Sequence, residues 1–461
     1  MKQTKLYIAL RSLFKEEWKS LQRYVIMETS NTSDAYNLFV YMYNCHKVNK
    51  TPSSKEETRA HLFPEMAEKR FLNLCSMTYL IFEDWLVWYE IKKDKVLCGI
   101  HLVKAYNRRG IFELADKTFA RVHKKLSQQG KIDLKRSDYM HKLYKYHYFS
   151  ENPVKNREGK ELLEKLVEYW MHSYKEISHL YIAQMYNWGD SNNFDYSETI
   201  RTLENSIANL LTSKTSEVTK IIQNLSKEED QKSLDKLYKL LINEEIEKGS
   251  DLEVFITLYS ILYSVKMWNE GKLKNKAFIF KIYDYGLSST ILMNLGKMQS
   301  NSFLNMISVI VLTSRAEMTY QFIDKWSHII DSSDKETAVA IAKCYVKREE
   351  GKFKDIILLL RSLHSKNLRL TLLSLIFLIK AFYMEKEYEL AQNTIDNFKR
   401  RLRKTKTGSE KAFYLPRLNF LLVMEQLIKS KHRKISINLD KYKHLHHRIW
   451  LSKQINKSKG T

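Results

Sequence analysis

The stretch that decides the fold is LVKAYNRRGIFELADKTF, which runs from Leu102 to Phe119. Leu102 and Tyr106 stand one helical turn apart, and Gly110 follows them. Ala115 and Phe119 repeat the same spacing beyond the glycine. Small residues let two helices approach closely, and aromatic residues fill the gap between them. The stretch therefore predicts two packed helices joined by a turn at Gly110.

A similar frame recurs towards the C-terminus, where apolar pairs again stand four residues apart. The predicted packing residues of these recurrences are Phe322, Trp326, Gly351, Phe353, Ile356, Leu360, Phe382, Tyr388, Ala391 and Ile395. Position 356 lies 34 residues after position 322, and position 391 lies 35 residues after position 356. A repeat of 34 to 35 residues indicates stacked helical hairpins.

From about residue 96 to 430 the chain resembles the tetratricopeptide (TPR)-like α-solenoid superfamily on these residues, although Val103 stands where the motif usually has glycine. The resemblance implies a non-catalytic binding surface. Most repeats lack the small residues that the motif places between its two helices, so we expect an irregular right-handed superhelix. At about 35 residues per repeat, it would contain roughly ten hairpins. Between Asn205 and Lys248 the leucine pattern is weak, which predicts irregular, exposed helices there.

Composition favours the same all-α fold class. The 461 residues contain only 12 Gly and 4 Pro, which leaves little turn chemistry for many short strands. Hydrophobic residues make up 44%, which is enough to build a core. We expect three regions: an N-terminal module over residues 1–95, the repeat array over 96–430, and a basic C-terminal helix and tail over 431–461.

The N-terminal module is predicted to be a helical bundle. Ser12 is expected to cap a helix that reaches about Met27, and Asp34 is expected to open a second, aromatic helix. Ser54 and Glu57 have the spacing of a capping box before a short third helix. A long helix from about residue 65 to 90 is apolar around most of its circumference, which predicts burial on two sides.

Two interpretations of this module stay open. A short helix, a turn at Phe63 and Pro64, and a helix that starts with Lys69, Arg70 and Asn73 have the order of a DNA-binding helix-turn-helix. A helical cap for the array is the alternative, because end repeats are commonly atypical. The pattern also resembles an uncharacterised group of bacterial helical proteins, from which no activity can be transferred.

The charge balance favours acidic partners. Lysine and arginine outnumber aspartate and glutamate by 77 to 53, a net charge of +24. Three basic clusters are candidate contacts for nucleic acid or an acidic protein: Lys104, Arg108, Arg109, Arg121, Lys124 and Lys125; Lys399, Arg400, Arg401, Arg403, Lys404 and Lys406; and Lys429, Lys431, Arg433 and Lys434. Solvated helical faces are the alternative interpretation of all three clusters.

Recognisable catalytic chemistry is missing from the sequence. No glycine-rich phosphate loop and no G-x-S-x-G motif occurs, and the four cysteines are widely separated, so we assign no catalytic or cofactor-binding residue. Asp440, His444 and His447 would share one helix face and are the only metal candidate, but histidines among basic residues more often form a solvated surface. We therefore assign no metal ligand.

Location and function follow from the same features. The N-terminal apolar stretch is interrupted by Arg11 and Lys15, and the longest apolar run, Leu370 to Ile379, is too short to span a membrane. We expect a cytoplasmic scaffold or adaptor, not an enzyme, that binds an acidic or extended protein partner. A nucleic-acid-binding regulator is the alternative, and an enzyme with an unrecognised site is a third class.

Overall fold

A computed structural model describes residues 4–13, 15–30, 33–48, 52–128, 130–149, 155–192, 194–294, 296–330, 334–361, 363, 365, 367–403, 411–431, 437–442, 445 and 447–459. These residues form 22 α-helices, and the pairing between extended segments within them is limited to isolated bridges. The predicted all-α fold class is confirmed. Within the described ranges, every helix is too short or too polar to cross a lipid bilayer.

The chain divides into two compact units, which comprise residues 1–130 with 135–173 and residues 131–134 with 174–461. Neither boundary falls at the predicted positions near 95 and 430, and the predicted division stays a prediction. The helices of the first unit are α1 (Lys5–Arg11), α2 (Lys15–Thr29), α3 (Asp34–Lys47), α4 (Lys55–Leu62), α5 (Glu68–Lys93), α6 (Lys95–Arg108), α7 (Phe112–Gln128), α8 (Leu134–Tyr148) and the first half of α9 (Lys155–Asn192).

The helices of the second unit begin with the remainder of α9. They continue with α10 (Ser197–Ile207), α11 (Lys214–Glu228), α12 (Gln231–Ile242), α13 (Asp251–Asn269), α14 (Ala277–Ser288), α15 (Ser300–Thr313), α16 (Ala316–Trp326), α17 (Lys335–Glu349), α18 (Phe353–Arg361), α19 (Leu368–Met384), α20 (Tyr388–Arg403), α21 (Lys411–Lys429) and α22 (Arg448–Lys459).

The five N-terminal helices form a bundle around α5, against which α1, α2, α3 and α4 all pack. Trp18 and Trp85 are fully buried in its core. The capping box is present, because Glu57 N–H donates to Ser54 Oγ at 3.1 Å and Ser54 N–H donates to the Glu57 carboxylate at 3.0 Å. Ser12 was assigned wrongly: it ends α1, and its hydroxyl donates to the carbonyl of Ala9 at 2.7 Å.

A tight hairpin joins α6 and α7, as the sequence predicted. Gly110 has φ +69, a left-handed conformation that glycine adopts without steric cost, and Ile111 N–H donates to Tyr106 O at 3.0 Å. Gly99, which the sequence pattern did not single out, lies where the two helices come closest. A Cβ placed on it would stand 2.4 Å from Cγ2 of Val122.

Hairpins also follow one another in the second unit. From α11 to α22 each helix packs against the next, and α13, α17 and α19 also pack against the helix two before them. Ala115, Ile356 and Ala391 each occupy the fourth position of the second helix in a hairpin, and each is at most 1% exposed. These three residues therefore have equivalent places in α7, α18 and α20.

The remaining predicted packing residues are mostly covered. Phe322, Trp326, Leu360 and Ile395 are buried, and Tyr106, Phe119, Phe353, Phe382 and Tyr388 are half-buried. Leu102 is an exception, because 36% of it is exposed and Val103 occupies the core instead. Gly351, like Gly110, is an exposed turn residue with positive φ.

The expectation of irregular, exposed helices between residues 205 and 248 was wrong. The segment forms α11 and α12, which are joined at Glu229 and Asp230. Leu225, Leu234 and Leu237 are completely buried and pack with Leu252 and Ile256 of α13. The buried face of α11 also contains the polar residues Thr215, Ser216, Thr219, Gln223 and Ser226, so a well-packed helix looks weakly apolar in the sequence.

Candidate functional site

An uncovered apolar face runs along α5, the central helix of the N-terminal bundle. Met77, Leu80, Val87 and Ile91 are 48%, 58%, 61% and 38% exposed. With Asp84 they stand three and four residues apart in alternation, so they line one side of the helix. We call these five residues the α5 stripe. The expectation that α5 is buried on two sides was wrong, since the bundle covers one side only.

The opposite side of α5 explains why the helix nevertheless holds its place. Phe71, Leu74, Phe82 and Trp85 are at most 6% exposed and pack in the bundle core. Trp85 Nε1–H donates to Ser20 Oγ at 3.2 Å, which ties α5 to α2. The stripe is therefore presented by a helix that is anchored along its length, and a partner would meet a preformed surface.

Charged and aromatic groups flank the stripe. Next to it, Trp88 is 41% exposed and its ring lies 5.6 Å from that of Tyr24. Both line a groove of about 360 Å³ with the charged residues Glu16, Lys19 and Arg23. Asp84 forms no ion pair with any described residue. An apolar surface with charged groups on one flank and an unpaired carboxylate at its centre can select both the partner and its alignment.

The three residues of the predicted helix-turn-helix lie together at the start of α5. Lys69, Arg70 and Asn73 are all exposed, after α4 and the turn at Phe63. Asn73 stands four residues before Met77, so it extends the α5 stripe by one turn. The same end of the helix therefore presents both the basic residues and the first residue of the uncovered face.

The first basic cluster lies around the α6–α7 hairpin. Lys104 is half-buried, with its ammonium 4.7 Å from the centre of the Tyr146 ring. Arg108 and Arg109 are exposed at the end of α6, where Arg109 donates to the carbonyl of Ala105 at 3.0 Å. Packing thus engages part of this cluster, and the two arginines remain accessible.

The second basic cluster is divided by the structure. Lys399 is half-buried and forms an ion pair with Glu425 at 2.6 Å, whereas Arg400 and Arg401 are exposed on α20. Arg403 is the last residue of α20. Lys404 and Lys406, with Arg433 and Lys434 of the third cluster, lie outside the described residues.

The metal candidate does not keep its predicted geometry. Asp440 lies in a short 3₁₀ turn that ends at Lys441, and the next helix begins at Arg448, so Asp440 and His447 do not share a helix face. Asp440 instead accepts a hydrogen bond from Arg448. His444 lies outside the described residues, and among those described no three histidine, cysteine, aspartate or glutamate side chains cluster as metal ligands would.

Cysteine chemistry offers no candidate site either. Cys45, Cys75 and Cys344 are buried free thiols, and Cys98 is half-buried. Burial raises the pKa of Cys344 to about 12, which keeps it protonated and unreactive near neutral pH. Cys45, Cys75 and Cys344 are therefore core residues, and Cys98 is not.

Comparison of the chain with protein-family models, with curated proteins and with solved structures finds no match. The α5 stripe is thus identified from its own geometry. Its signal was present in the sequence as apolar residues at alternating spacings of three and four, but that pattern alone does not reveal whether a neighbouring helix covers it.

Proposed function

We propose that this protein is a non-catalytic scaffold, built from TPR-like helical hairpins, that binds a helical segment of another protein along the α5 stripe. The exposure of Met77, Leu80, Val87 and Ile91 on an otherwise anchored helix carries the proposal. Burial of each side chain would contribute about 1 kcal/mol, at about 25 cal/mol per Å² of apolar surface. Four such contacts suit a partner helix with its own stripe at the same spacing.

Charge defines the partner further. Asp84 stands among the apolar residues of the stripe, so the partner should place a lysine or arginine opposite it. Lys69 and Arg70 at the start of α5 suit acidic residues at one end of the partner helix. The partner we propose is therefore an amphipathic helix with one central basic residue and an acidic end.

The second unit supports the scaffold part of the proposal. Its helices pack with their successors, and several also pack with the helix two positions before them. This pattern is typical of helical-repeat arrays, in which each repeat contacts its neighbours and leaves extended faces for binding. We propose that this unit forms a TPR-like array.

Site-specific photo-cross-linking tests the partner surface. Benzoylphenylalanine replaces Met77 in the stripe or, as the control, Leu358, which is 71% exposed on α18. Cells are irradiated, nuclease is added, and cross-linked proteins are identified. We expect one defined protein at Met77 and not at Leu358, and we expect Leu80→Ser with Val87→Ser to abolish that cross-link.

Other outcomes would overturn the proposal. A cross-link from Met77 to a second copy of this chain would make the stripe a homodimer interface. The same protein captured at Met77 and Leu358 would show that exposure alone, not the stripe, determines capture. Leu312→Ser with Leu358→Ser is the matched double control, because both leucines are exposed and lie outside the first unit.

The second candidate function is nucleic-acid binding, which the exposure of Lys69 and Arg70 at the start of α5 favours. Binding would then weaken steeply with salt, because each lysine or arginine at a phosphate releases counterions. Lys69→Glu with Arg70→Glu should abolish binding to duplex DNA in a gel-shift assay without a change in the circular dichroism spectrum. Unchanged binding would exclude the helix-turn-helix role.

A further inference from the structure

A second candidate site lies in the other unit, where α9, α10 and α11 line an open cavity of about 600 Å³. This volume is within the range of small-molecule sites, about 300 to 1,000 Å³. The cavity is lined by Lys175, His179, Glu204, Ile207, Ala208, Thr212, Ser216, Glu217, Lys220 and Ile221. None of these residues was a site candidate in the sequence.

His179 is a nearly buried polar group of the cavity, since only 4% of it is exposed. Its Nδ1 lies 2.6 Å from Gln223 Oε1, which also accepts from Lys220 Nζ at 3.2 Å. The amide nitrogen of Gln223 donates to Glu204 at 2.8 Å. These contacts fix the Gln223 oxygen as the acceptor, so Nδ1 of His179 carries the hydrogen.

The other ring nitrogen of His179, Nε2, is therefore a bare acceptor, and no described residue donates to it. Burial lowers the pKa of His179 to about 4, so the ring is neutral near pH 7. Such an acceptor takes an N–H or O–H group from a ligand or from water. His179 thus offers the cavity a hydrogen-bond acceptor.

Lys175 supplies the opposite requirement. Its ammonium donates to Leu210 O at 2.8 Å and to Thr212 Oγ1 at 3.0 Å, both neutral oxygens. Among the described residues no carboxylate forms an ion pair with it. A lysine held in place by neutral acceptors keeps one N–H and its full charge available for an anion.

Two further features complete the site. Lys175 and His179 stand four residues apart on α9, so they face the cavity from adjacent turns. Ile207 and Ile221, from α10 and α11, provide an apolar wall. A lysine ammonium, a hydrogen-bond acceptor and apolar surface therefore line one cavity, together with the carboxylates of Glu204 and Glu217.

We propose that this cavity binds a small amphipathic organic anion. Its carboxylate, phosphate or sulfonate group would contact Lys175, an N–H or O–H group would donate to Nε2 of His179, and its apolar body would lie against Ile207 and Ile221. The site is independent of the α5 stripe, which belongs to the other unit.

Anilinonaphthalene sulfonate is the probe for this site. The isomer used carries its amine and its sulfonate at opposite ends of the naphthalene, so the two groups do not contact each other. It combines an anion, an N–H group and an apolar body, and its fluorescence rises in apolar surroundings. N-phenylnaphthylamine is the matched control ligand, because it lacks only the sulfonate. Titrations use the whole chain of 461 residues.

We expect Lys175→Met to raise the Kd of the sulfonate about tenfold, equivalent to about 1.4 kcal/mol. The Kd of the neutral amine should change little. Lys214→Met removes an equal charge from an exposed position of α11 and should leave both ligands unaffected. His179→Asn keeps a donor for Gln223 but removes the Nε2 acceptor, so it should weaken both ligands.

Ala208→Trp provides a variant that keeps the polar network intact. Ala208 is exposed at the cavity edge, so an indole there should occupy part of the cavity without disturbing the core, and the Kd of the sulfonate should rise. Unchanged binding in this variant, or equal losses in Lys175→Met and Lys214→Met, would overturn the proposal. Equal losses of both ligands in Lys175→Met would also overturn it.

Discussion

Gly99→Ala tests the close approach of α6 and α7. The added methyl group would stand 2.4 Å from Cγ2 of Val122, whereas carbon atoms in contact are about 3.5 to 4.0 Å apart. An overlap of about 1 Å forces the helices apart or moves the valine, at a cost of about 1 to 3 kcal/mol. Alanine is favoured over glycine in a helix by about 1 kcal/mol. We therefore expect a net destabilisation of about 1 kcal/mol.

Gly159→Ala is the matched control, because a Cβ on this glycine of α9 meets no atom within 4 Å. It should stabilise the first unit by about 1 kcal/mol through helix propensity alone. Hydrogen exchange of peptides from α6 and α7, and from α9 for the control, measures the two effects as opening free energies. Val122→Ala should rescue Gly99→Ala, with a coupling of about 1 kcal/mol. Stabilisation by Gly99→Ala, or the absence of coupling, would refute the close packing.

Three other substitutions give direct tests. Lys380 is 4% exposed, its ammonium lies 4.9 Å from the centre of the Trp450 ring, and burial lowers its pKa far below the usual value. Lys380→Met should therefore raise the Tm at pH 7, whereas the exposed Lys354→Met should not. The gain in Tm should shrink as the pH rises towards about 10, where the lysine is neutral in the unfolded chain as well. The pKa of His179 is about 4, below the unfolded value of about 6.5. Acidification between those two pH values should therefore remove up to about 3 kcal/mol of the free energy of unfolding. In urea titrations His179→Asn should not show this loss. Lys386 has φ +65, a left-handed conformation that is costly for a residue with a Cβ. Lys386→Gly should therefore raise the free energy of unfolding by about 1 kcal/mol in the same titrations. Destabilisation would mean that the lysine side chain itself holds the turn.

The sequence predicted the parts of the fold that depend on local chemistry. The capping box of Ser54 and Glu57 and the turn at Gly110 need only their own neighbours, and both are present. The packing pairs Ile356 with Leu360 and Ala391 with Ile395 could be recognised in the sequence because each hairpin repeats one local packing contact. Helical spacing survives in the sequence whatever surrounds the helix.

What the sequence did not predict depends on which neighbour covers a helix. The α5 stripe and Leu234 show comparable apolar patterns, yet Leu234 is completely buried and Leu80 is 58% exposed. The cavity around His179 was missed for the same reason. Its partners Glu204 and Gln223 come from two other helices, and only tertiary packing brings the three together.

The corner between α19 and α20 has a consequence for how such chains are recognised. Glu387 N–H donates to Phe382 O at 2.9 Å, the bond that Ile111 makes to Tyr106, although Lys386 replaces the glycine of the earlier corner. Interhelical packing therefore imposes this corner even on an unfavourable residue. Hairpins in divergent relatives would be undercounted by their glycines, and the buried fourth residue of the second helix is the better marker.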